Sequence, residues 1–149
     1  MHQYYNVSCI IKQNNVDDDP NFNVESEYRK HLHSYIREQH TGLLFDLHQL
    51  TPSREMDLCT GKGWNIGGRN DILEMLIEEF ERIFKWYVTV DEPFAACFEN
   101  TISASTAKQN GIPCFQLEFN SRIFGNKRKI EEICTTLNKA CTYWERKEK

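Results

Sequence analysis

GLLFDLH, residues 42–48, is a short apolar run that ends on two ionisable side chains, Asp46 and His48. A continuous apolar run, rather than an alternating one, marks a strand buried on both faces, as in a parallel sheet. Asp46 and His48 flank Leu47 and therefore share one side of such a strand. Ligands of open α/β sheets collect beyond the carboxyl ends of the strands, so this pair is the first candidate for a functional site. Two readings of His48 stand side by side. It can be a metal-binding imidazole oriented by Asp46, or a strand-end histidine held by hydrogen bonds alone.

Downstream, QLTPSREMDLCTGKGWNIGGRN at 49–70 is long and rich in glycine, with room for a short strand around Met56–Cys59. It lacks the G-x-x-x-x-G-K-[ST] order of a phosphate-binding loop. Asn70 or Asp71 can cap the helix that follows. Ile72, Leu73, Leu76, Ile77, Phe80, Ile83 and Phe84 form its apolar face, and Glu74, Glu78, Glu79 and Glu81 its wet one. WYVTVD at 86–91 reads as a strand, and residues 101–109 as a short helix ended by Asn110-Gly111. IPCFQLEFN at 112–120 reads as a strand carrying Glu118 near its end. Ile130, Ile133, Cys134, Leu137, Cys141 and Trp144 line a last amphipathic helix.

Upstream, YYNVSCIIK at 4–12 reads as a strand. QNNVDDDPNFN is a loop. Residues 24–39 carry Tyr28, Leu32, Tyr35 and Ile36 at helical spacing. His31 and His33 fall off that stripe and read as exposed. The order of elements predicts one α/β domain over residues 1–149, with a mostly parallel central sheet and helices on both faces.

The chain has 149 residues, 40% hydrophobic, 27% charged and 12% aromatic, with a formal charge of -4. This balance suits a globular domain and lacks the basic footprint of a nucleic-acid-binding protein. No run approaches the ~18 apolar residues of a membrane span. Met1 is followed by a polar, aromatic stretch rather than an apolar signal region, so the expected location is cytoplasmic. The six cysteines form no C-x-x-C pair and read as buried, reduced thiols.

Glu118 lies between Leu117 and Phe119. It must reach solvent, pair with Arg122, or serve a site, because an unpartnered buried carboxylate costs several kcal/mol.

Taken together, LLFDLHQ, REMDLCTGKG and CFQLEFNSRIF resemble three ordered motifs of the N-formylglutamate amidohydrolase family, and DPN at 19–21 resembles an element of the related aspartoacylase and zinc carboxypeptidase superfamily. The resemblance spans roughly residues 19–124. It implies a phosphorylase/hydrolase-like α/β fold and a zinc-dependent amidohydrolase acting on the amide or N-acyl bond of a small acidic substrate. Carried over by position, His48 is the zinc ligand and Glu118 the general base and acid. Asn21, Arg54 and Arg122 are the candidates for holding the substrate carboxylate, although Phe22 stands where the superfamily carries arginine.

One departure matters. The superfamily supplies two further zinc ligands from an early histidine–x–x–glutamate pair, and none of His2, His31, His33, His40 or His48 is followed three residues on by glutamate. The resemblance therefore implies that the amino-terminal part of the fold is missing, with His2, His40, Asp19 or Asp46 as possible substitutes. It also leaves a second functional expectation: a non-catalytic or truncated relative that binds a small acidic ligand without a complete zinc site. A sheet edge bared by a missing neighbour would be an association hazard, which predicts a homodimer through that edge.

Overall fold

The computed structural model describes residues 7–12, 18–50 and 56–148. Helix α1, Glu27–Glu38, starts at Ser26, whose hydroxyl accepts the amide of Arg29. Strand β1 is Leu44–Leu50 and β2 is Met56–Cys59. Helix α2, Asn70–Phe84, follows Arg69; neither Asn70 nor Asp71 is its cap, and Asp71 instead pairs with Arg69 at 3.0 Å. A two-residue strand β3, Thr89–Val90, replaces the longer strand expected over 86–91. Helix α3, Ile102–Asn110, is capped by Thr101 and ends at Gly111 with φ 67°, the left-handed stop expected there. Strand β4 is Cys114–Asn120, and after a 3-10 turn at Ser121–Gly125 helix α4 runs over Lys127–Lys147. Val7–Lys12 form no strand, and the remainder of the 4–12 expectation lies outside the described residues.

The sheet has four strands in the order β1-β4-β2-β3. β1 and β4 are parallel, as are β2 and β3, but β2 runs antiparallel to β4. The sheet is therefore mixed, with two parallel pairings and one antiparallel one where the expectation was mostly parallel. The cause is the connection between β1 and β2: only residues 51–55 separate them. A parallel return needs a crossover of roughly a dozen residues or more. The chain turns back instead, and leaves a slot that β4 fills.

Helices cover both faces, as the alternation of elements predicted. α2 and α4 pack on the face carrying Phe115, Leu117 and Phe119, with Phe80 edge-on to Phe119 at 5.8 Å. α1 and α3 lie on the other face, around Leu32, Ile36 and Ile102. Among the described residues no helix is long and apolar enough to cross a membrane.

Candidate functional site

The face under α1 and α3 is polar. Paired residues of neighbouring strands share a face, so the register brings His48 of β1, Glu118 of β4, Asp57 of β2 and Thr89 of β3 into one row across the sheet. Beside this row lie Asp46, Gln116 and Cys59. All seven residues of β4 are buried, so Glu118, at 7% exposure, is held inside the fold. Its side chain keeps 9% exposure and does not pair with Arg122: Gln116 Nε2 donates to Glu118 Oε1 at 2.8 Å.

His48 is half-buried between two carboxylates. Its Nε2 lies 3.0 Å from Asp46 Oδ1, and its Nδ1 lies 4.0 Å from Glu118 Oε1, beyond direct hydrogen-bond reach. The Asp46 contact assigns the proton to Nε2. Burial pulls the His48 pKa down. The hydrogen bond and charge of Asp46, with the charges of Glu118 and Asp19, outweigh that and hold it above the ordinary histidine value. Asp46 is itself fixed from above, because Ser103 Oγ at the start of α3 donates to its Oδ2 at 3.3 Å.

Asn21 reaches the same place. Its Oδ1 accepts the Ile102 amide at 3.2 Å, and its Nδ2 lies 3.4 Å from His48 Nε2. The loop that positions it is held by Arg29, a buried guanidinium that donates to the carbonyls of Pro20 and Asn100. Arg122 does not join the cluster; it is exposed beyond the end of β4. Arg54 and His2 lie outside the described residues. His40 and Asp19 are exposed, and Asp19 Oδ1 accepts the Asn21 amide at 2.9 Å.

Asp57 is fully buried. Burial raises its pKa, opposed by the hydroxyl of Thr89, which donates to Oδ1 at 2.8 Å. The sequence signal of Asp57 is the same as that of Glu118, a carboxylate between apolar neighbours, Met56 and Leu58, in a short strand. His33 departs from expectation too. It is buried, with Nδ1 2.6 Å from Asn110 Nδ2, and burial lowers its pKa. The six cysteines are free thiols; Cys59 and Cys114 are buried as expected, whereas Cys9 and Cys97 are exposed.

A catalytic zinc takes three protein ligands. Among the described residues no three histidine, cysteine, aspartate or glutamate side chains are grouped to hold a metal ion. His48 turns Nε2 to Asp46. These donors do not fit a zinc centre. What they do form is an imidazole whose charged form Asp46 favours, 4.0 Å from a buried carboxylate. The cluster opens onto a cavity of about 580 Å³ whose lining includes Asn21, Asp46 and His48. No family model, no curated protein and no solved structure matches this chain. The likeness to N-formylglutamate amidohydrolases therefore rests on the short motifs alone.

Proposed function

We propose that the chain is a hydrolase of amide or N-acyl bonds in small acidic substrates, with Glu118 as general base and His48 as general acid. The observation that supports this reading is the facing pair itself, Glu118 Oε1 and His48 Nδ1 4.0 Å apart on neighbouring parallel strands, with His48 lining a cavity. Glu118 takes a proton from water as its oxygen attacks the carbonyl carbon. The carbon–nitrogen bond then breaks, and His48 returns a proton to the leaving amine. Asp46 favours the charged form of His48 and so its reprotonation after each turnover. Asn21 Nδ2 stands where it can donate to the substrate carboxylate.

The test is hydrolysis of N-acyl amino acids by the wild type, Glu118→Gln and His48→Ala. Activity in the wild type that falls in both variants supports the reading. Equal inactivity of all three sinks it. A second reading has an observation of its own. The cavity lined in part by Asn21 and His48 suits a non-catalytic domain that binds a small acidic ligand. An N-acyl amino acid that raises the melting temperature without being cleaved would select that reading.

A further inference from the structure

Among the described residues β1 pairs with β4 alone, so the amides and carbonyls along its other side have no strand partner. An open edge of this kind is a template for another extended chain. Here the edge is the floor of a groove. The 580 Å³ cavity runs beside Leu43–His48, and its walls come from both faces of the sheet: Leu32 and Ile36 of α1 on one side, Leu137 and Cys141 of α4 on the other. Val7–Lys12 form a further wall, tied to α1 where Tyr35 Oη donates to Ser8 Oγ at 2.8 Å. Leu47, on the floor, is 52% exposed.

We infer that this groove receives an extended peptide, which adds to β1 as a fifth strand. Three features select that occupant. The floor presents main-chain donors and acceptors, which a hydrocarbon chain would leave unmet and a peptide backbone satisfies. Its length from Leu43 to His48 is roughly 17 Å, that of an ordinary strand. Walls on both faces exclude a second flanked sheet and admit a single bare strand, with apolar side chains pointing alternately to α1 and α4. Charge sets the direction. Asp46 and Glu118 flank the imidazole of His48, and Lys12, the basic side chain of the lining, turns its ammonium to the Asp18 carbonyl. A peptide antiparallel to β1 places its positively charged amino terminus at that acidic end.

The probe is the peptide Val-Thr-Ile-Val-Ile-Lys, with a free amino terminus and fluorescein on the lysine side chain, followed by fluorescence polarisation. Saturable binding is expected. Acetylation of the terminus and N-methylation of alternate amides should each weaken it at least tenfold. Leu47→Asp, at an exposed position that leaves the core intact, should weaken it similarly. Absence of saturable binding overturns the inference, as does equal binding of the N-methylated peptide, which would make the groove a sink for acyl chains. Equal binding of the acetylated peptide overturns the assigned direction. Peptide binding without hydrolysis of N-acyl amino acids upholds the groove and sinks the hydrolase reading; hydrolysis without peptide binding does the reverse.

Discussion

Replacing Glu118 by glutamine removes one charge from the His48 environment and changes little else. The new side chain has the same shape, and its oxygen can still accept the 2.8 Å hydrogen bond from Gln116 Nε2. The lost term is Coulombic. At 4.0 Å, two unit charges interact by about 1 kcal/mol in water and about 4 kcal/mol at an effective dielectric of 20. The His48 side chain is 22% exposed, so its coupling to Glu118 lies between these limits. Asp46 is untouched, and the imidazole keeps its bond to Oδ1. The assay is a proton NMR titration of the His48 ring in wild type and Glu118→Gln. The midpoint should stand above the ordinary histidine value in the wild type and move down in the variant. The same variant should lose roughly 10²–10⁴-fold in hydrolysis, the usual contribution of a general base, which is about 3–5 kcal/mol of barrier. An unchanged or raised midpoint would refute the facing geometry of the two side chains, whatever the kinetics showed.

The stability contributed by His48 should fall as pH rises above 6.5. His48 is raised in the fold above its reference value of 6.5, so its contribution is complete below 6.5 and disappears as pH climbs through the folded value. Urea unfolding across that window should give a downward slope that His48→Gln flattens. Leu117→Ala empties a fully buried position in the layer against α2 and α4; a loss of about 2–5 kcal/mol is expected by chemical denaturation. At Gly61, φ is +66° and an added Cβ would meet the Asn65 side chain at 2.5 Å, whereas at Gly63, φ +86°, it would meet nothing within 4 Å. Gly61→Ala should therefore lower the melting temperature further than Gly63→Ala, because it adds a side-chain clash to the backbone strain that both share.

Local patterns carried most of the fold. The apolar stripe of α2, the Asn110-Gly111 stop and the run FQLEF all specify their elements through contacts between near neighbours, so they are legible in any short window. The direction of β2 was legible as well: residues 51–55 are too few for a crossover, and the βαβ rhythm elsewhere hid that count. The His33 position was misread because α1 is covered on two sides. Leu32 and Ile36 meet the core, and Asn110 of α3 reaches His33 from another direction, which a single amphipathic stripe does not reveal.

Sequence alone determined that Asp46 and His48 share one side of a strand and that Glu118 sits inside a buried one, because side-chain alternation in an extended chain has a period of two and needs no partner. Only the tertiary structure decided which strands lie side by side. β4 slides between β1 and β2, and that insertion sets His48, Glu118 and Asp57 in one row. It also gives His48 its second flanking carboxylate, Glu118, and leaves the outer edge of β1 beside the groove. These are pairings between residues dozens of positions apart. They follow from how the layers pack, and no local period of the chain encodes that.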